Sequence, residues 1–134
     1  MRLWHQDLIS KLPRQQLLGQ HRECCALRGR GWGKKHSVVN YVFEHSPAKL
    51  VAYHTLVMNE MIRRGYHPDV IWYNPDYRGT TLGIEDNWCN FKMASKLVDY
   101  GEKGLMIYSE HDKEYLQECI DNLKNKSIII NLGE

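Results

Sequence analysis

Between Ser46-Pro47 and Arg63-Arg64-Gly65, apolar residues return every three or four positions: Leu50, His54, Val57, Met58 and Met61, with Val51 and Ile62 widening the face. At 3.6 residues per turn this spacing gathers them on one side of an α-helix, whereas a half-buried strand would need strict alternation. The ends carry their own signals. Serine is a good N-cap and proline a good first helical residue, while two arginines and a glycine suit a helix C-terminus. A chain organised around such a stripe must bury it, and the remaining sequence offers mostly further helices to bury it against.

Pro13 fits the first position of another helix, running to about residue 28 with Gly29 as its stop. In it Leu17, His21, Cys24 and Cys25 fall on one apolar stripe. Glu23 points away from that stripe and shares its face with Gln16, Gly19, Gln20 and Ala26. Helices are also expected from about Asp86 to Tyr100, and from His111 to Lys124 with Tyr115, Leu116, Cys119, Ile120 and Leu123 inward. Residues 35–45 fit a helix through Val38, Val39, Val42 and Phe43, but β-branching there also suits a strand. Residues 66–84, with NPDYRGTT inside, read as an extended connection rich in turn residues. Leu105–Tyr108 and the tail SIIINLGE allow short extended segments in the C-terminal half. The expectation is an all-α, mostly helical fold in a single domain spanning residues 1–134, since 134 residues leave little room for two.

Four cysteines, Cys24, Cys25, Cys89 and Cys119, form no CxxC and no disulfide framework, which favours a reducing compartment. No apolar run is long enough to span a bilayer, and MRLWHQDLIS lacks the apolar stretch of a signal peptide. The expected location is cytoplasmic. Net charge is only +2, yet it is unevenly placed. Residues 1–40 hold eight Lys/Arg (Arg2, Lys11, Arg14, Arg22, Arg28, Arg30, Lys34, Lys35) against Asp7 and Glu23, a balance of 8 − 2 = +6. Residues 81–134 hold six Lys/Arg against ten Asp/Glu, or −4. The basic part can attract phosphates, and on charge alone a nucleic-acid contact and a merely solvated basic surface are both open; if the chain has an active or nucleic-acid-binding face, it is expected in residues 1–40.

Within that part, Glu23 is a lone carboxylate with small Gly19 and Ala26 beside it, leaving room above for a ligand. Arg22, its neighbour in sequence, projects in a different direction, so the pair can reach one ligand from two sides. The glycine-rich stretch RGRGWGKK, residues 28–35, reads as a loop. It is not a GxxxxGK[ST] phosphate loop, because its spacing differs and no strand precedes it. Trp32, set in this basic loop, is the best-placed aromatic for stacking on a base, whereas Trp4, Trp72 and Trp88 read as packing residues. Seven histidines are scattered without an HExxH motif. His21 and His54 lie on apolar faces and read as hydrogen-bonded core residues. No metal site is expected.

Residues 1–27 resemble the N-terminus of the pyrimidine-dimer DNA glycosylase/AP-lyase family, the endonuclease V-like enzymes. The likeness is carried by Leu8, Ser10, Leu12, Gln15, Leu17, Arg22 and Glu23 in ungapped register. The later order of a basic KKH segment, Ser46-Pro47 opening a helix and an MIRRGY close extends it to about residue 68. The resemblance implies an endonuclease V-like helical fold and cleavage of the glycosylic bond of a damaged pyrimidine. The strand is then nicked by β-elimination through a Schiff base on the N-terminal amine. By that resemblance Glu23 is the assisting carboxylate and Arg22 grips the DNA. The nucleophilic amine falls on Met1 or Arg2. The family has a small residue at position 2, exposed by removal of Met1, and the bulk of Arg2 disfavours that removal. Gln16 and Ala26 replace a family histidine and arginine, and the family's aromatic, basic tail has no counterpart in KSIIINLGE. Arg14, Arg28, Arg30, Trp32, Lys34, Lys35 and His36 are expected to hold the DNA. The implied partner is double-stranded, damaged DNA, with no cofactor and no membrane. Two other readings stay open: a non-catalytic nucleic-acid-binding protein of the same fold, and a histidine-based metal-dependent hydrolase.

Overall fold

The protein was analysed as a computed structural model, which describes residues 2–35 and 38–132. Met1 and His36, expected in the active site and in the DNA-binding set respectively, lie outside the described residues.

The chain is mostly helical, and among the described residues it forms no strand beyond an isolated bridge between Tyr77 and Ile84. The helices are α1 (Arg14–Arg28), α2 (Pro47–Arg63), the single turn α3 (Gly79–Leu82), α4 (Phe91–Glu102) and α5 (Lys113–Lys124). Short 3-10 turns at Gln6–Lys11, Asn40–Glu44 and Val70–Tyr73 connect them.

The helix expected from its caps is α2, and it is the centre of the molecule. Ser46 accepts from the Ala48 N–H at 3.1 Å, Pro47 opens the helix, and Gly65 follows the last turn at φ +86°. Leu50, Ala52, Tyr53, His54, Val57 and Met58 are fully buried. Against α2 pack α1, α4 and the first two 3-10 turns. Where α4 crosses, Gly101 allows a close approach: a Cβ there would lie 2.7 Å from Leu56 Cδ1, so the leucine side chain would have to shift. One continuous core joins Leu3, Trp4 and Leu8 from the first residues, Leu17, Cys24 and Leu27 from α1, and Cys119 and Leu123 from α5.

Several boundaries differ from the sequence expectation. Pro13 caps α1 rather than opening it, a shift of one residue. Residues 35–45, open between helix and strand, contain the 3-10 turn Asn40–Glu44, with Val39 and Val42 inward. The helix expected from Asp86 begins only at Phe91. Asp76 is the reason: its carboxylate accepts from the backbone N–H of Asn87 at 3.1 Å and of Cys89 at 3.0 Å. Those bonds hold Asn87 at φ +65°, a left-handed conformation that a helix cannot include. Asn90 then caps α4 by accepting from Met93 N. For the tail, open between a strand and a packed extension, the described residues follow the second, with Ile128 and Ile130 against the core.

Candidate active site

The first described residues are held by three side chains, Gln20, Tyr53 and Tyr115. Gln20, facing inward on α1, donates from Nε2 to the Arg2 carbonyl at 3.0 Å and accepts at Oε1 from the Trp4 N–H at 2.7 Å. Tyr53 of α2 donates from its hydroxyl to the Trp4 carbonyl at 2.6 Å and lies 3.0 Å from Gln20 Oε1. Tyr115 of α5 donates to the Leu3 carbonyl. The first described residues thus lie as an extended segment clamped by α1, α2 and α5, and a glutamine amide can do this because it donates and accepts at once.

Glu23 sits one helical turn beyond Gln20. A pocket of about 420 Å³ opens beside it, lined by Arg2, Trp4, Gln16, Gly19, Gln20 and Glu23, and also by Asn122 and Lys126. Glu23 Oε2 is covered, yet it has no hydrogen-bond partner among the described residues. A buried acceptor left unpaired costs roughly 1–3 kcal/mol, more when charged, so this oxygen would gain from any donor brought to it. Arg22 is exposed, and its guanidinium folds back along α1: Nη2 would stand 3.7 Å from a Cβ on Gly19. Arg22 therefore stands over Gly19, which lines the same pocket as Glu23. Position 2 is Arg2, whose guanidinium carbon lies 5.5 Å from the Trp4 ring centre, on the wall of the Glu23 pocket.

The residues expected to hold DNA divide into two groups. Arg14, Arg30, Lys34 and Lys35 are exposed. Arg28 is not, which corrects its expected role as a phosphate anchor. It is fully buried and donates to the carbonyls of Trp72 at 2.8 Å, Asn74 at 2.8 Å and Tyr77 at 3.0 Å. Burial lowers its pKa to about 10, still leaving it charged at neutral pH. It pins residues 72–77 to the end of α1. Trp32 is likewise not a free stacking platform. Its ring is half-buried, edge-on to Phe43 at 5.1 Å and to Trp88 at 5.5 Å. The loop carrying it folds back on α1, where Gly31 is required because a Cβ would stand 2.7 Å from the Ala26 carbonyl oxygen.

His54, expected in the core, is fully buried and bonded on both sides. Arg28 Nη1 lies 3.0 Å from His54 Nδ1, and a guanidinium can only donate, so His54 carries its proton on Nε2. That N–H meets His21 Nδ1 at 2.8 Å, which places the His21 proton on Nε2. Burial, followed by the Arg28 charge and His21, holds His54 well below the usual histidine range. Cys25 joins these rings, and the three ligand atoms lie within 4.8 Å of one another. Sequence spacing did not reveal this cluster, because His54 comes from a different helix. It is poorly built for a cation. His54 could offer Nε2 to a metal only by moving its proton to Nδ1, against the Arg28 guanidinium. Burial also pushes the Cys25 thiol up to about 11, away from the thiolate a metal prefers.

Among the described residues, no helix is long and apolar enough to cross a membrane. No curated protein and no solved structure gives a significant match to the chain. A family model described as pyrimidine dimer DNA glycosylase matches residues 1–74, more than half of the 134. That span holds the clamped N-terminal segment, all of α1 with Glu23, and all of α2. The chain belongs to the pyrimidine dimer DNA glycosylase family.

Proposed function

We propose that the protein acts on damaged double-stranded DNA as a glycosylase, an abasic-site lyase or both, within one folded domain. Glu23 is the acid/base, and an amine at the start of the chain is the nucleophile. The observation that carries this reading is the covered, unpartnered Glu23 Oε2 in a pocket walled by the backbone-clamped residue Arg2. An α-amine has an ordinary pKa of ~7.7–8.0, so an appreciable fraction is neutral near physiological pH and can attack a sugar carbon. Attack at C1′ expels the damaged base, or water from an already abasic sugar, and forms an imine. Loss of a C2′ proton then expels the 3′-phosphate by β-elimination. Glu23 can receive and return the protons these steps move.

The exposed cations Arg14, Arg22, Arg30, Lys34 and Lys35 are proposed to hold the backbone while the lesion is drawn out of the stack. Phosphate contacts of this kind give salt-sensitive affinity with little sequence preference.

Borohydride trapping on a duplex carrying one abasic site tests the reading. The native protein is expected to give a covalent adduct and a nicked strand. Glu23→Gln should lower nicking by about 10²-fold or more, the usual scale for a lost acid/base group, while duplex affinity changes little. Undiminished nicking by that variant would remove Glu23 from the mechanism. Salt-sensitive binding without any adduct would favour a non-catalytic binder.

A further inference from the structure

The Glu23 pocket has a wall that lies outside the family-matched segment. Asn122 and Lys126 come from the last helix and the turn after it, well beyond residue 74. Among the described pocket residues, Lys126 supplies the one primary amine. Its Nζ lies 5.4 Å from the centre of the Trp4 ring, whose backbone N–H is held by Gln20 one turn before Glu23.

Lys126 is also well anchored for an exposed residue. After α5 the chain closes in a Schellman turn: Ile128 N–H donates to the Leu123 carbonyl and Ser127 N–H to the Lys124 carbonyl, both at 2.9 Å. Ser127 takes the left-handed position at φ +64°. Leu123 is fully buried and Ile128 packs on the same core, so the turn is fastened from both ends. The stem of Lys126 starts from a fixed point at the pocket rim, and its four methylenes give the amine reach.

We propose that Lys126 is a Schiff-base nucleophile of the Glu23 pocket, serving the abasic-site lyase step on duplex DNA. The inference rests on the lyase reading and on Glu23 as given above, and for the lyase step it puts the Lys126 amine in place of the amine at the start of the chain. In the step, the neutral Nζ attacks the C1′ aldehyde of the open abasic sugar, and Glu23, on the lining of the same pocket, takes up the proton that the nitrogen then sheds and returns it as water leaves. The carbinolamine loses water to leave a protonated imine on Nζ. That imine acidifies C2′, and loss of the C2′ proton expels the 3′-phosphate; hydrolysis returns the amine. No oxidant, metal or cofactor enters the balance.

Peptide mapping of the trapped adduct decides it. The full chain is reacted with a duplex containing one abasic site, reduced with borohydride, digested and read by mass spectrometry. The expected result is a sugar remnant on the peptide containing Lys126. Lys126→Arg keeps the charge over Trp4 but has no nucleophilic amine. It should lower trapped yield by about tenfold or more while duplex affinity stays within about twofold. An adduct on residue 1 or 2, with Lys126→Arg trapping as well as the native protein, overturns this inference and leaves the lyase reading standing. No adduct on any residue overturns both.

Discussion

Arg28 shows how much one residue can hold. Its guanidinium satisfies three backbone carbonyls and one imidazole nitrogen, and those acceptors offset part of the cost of burying it, while Nε stays without a partner among the described residues. Arg28→Met keeps much of the volume but leaves the carbonyls of Trp72, Asn74 and Tyr77 without a donor. We expect a loss of about 3–5 kcal/mol, measured by urea denaturation, the scale seen when one partner of a buried charged network is removed. A change below about 1 kcal/mol would mean that those carbonyls find water instead. In the sequence, Arg28 was indistinguishable from Arg30 or Lys34, since all three sit at the edge of a glycine-rich loop. Its burial depends on three carbonyls converging from more than forty residues away, which no local pattern encodes. Glu23 was easier to read. Helical geometry put Gly19 and Gln20 on its face, and that face became the pocket wall.

Elements were legible where they carried their own punctuation. The serine, proline and glycine around α2 mark its ends in sequence and in structure alike. The start of helix α4 was ambiguous because Asp86, Asn87 and Asn90 are all capping types, and it was decided by Asp76, which takes two N–H groups that a helix would have used. The turn after α5 offers a direct test at this scale. Ser127 sits in the left-handed region, where a side chain costs roughly 1–2 kcal/mol that glycine avoids. Ser127→Gly is therefore expected to raise stability by about 1 kcal/mol and leave the α5 signal in circular dichroism unchanged. A destabilised variant would indicate that the serine hydroxyl supports the turn more than the backbone strains it.

At the scale of the whole molecule, two buried histidines tie stability to pH. His111 accepts from Gln6 N–H at Nδ1 and meets the Tyr41 hydroxyl from Nε2, and burial, followed by the His5 charge, lowers its pKa to about 3. His54 is shifted in the same direction. Both are neutral when folded and free to take a proton when unfolded, at an ordinary pKa of ~6.5. Their contribution is complete above that value. It falls as pH drops below it, until the folded His111 itself protonates near pH 3. The urea midpoint should therefore decline steadily from about pH 6.5 downward, on the order of 1 kcal/mol per pH unit for His111. His111→Gln should flatten that decline. The mostly helical class was readable from periodicity, but the meeting of His21, Cys25 and His54, and the lining of the Glu23 pocket by Asn122 and Lys126, were not. Both are products of packing between distant segments.

The placement of that last wall has a bearing on synthesis. A growing chain presents its exposed cations, from Arg14 to Lys35, long before Asn122 and Lys126 emerge. A nascent chain halted ahead of α5 would hold the charge that attracts a polyanion but only part of the cavity that shapes what enters. On the proposed reading, the charge that would attract nucleic acid is made before α5, and the full lining of the Glu23 pocket only once α5 and the turn after it are made.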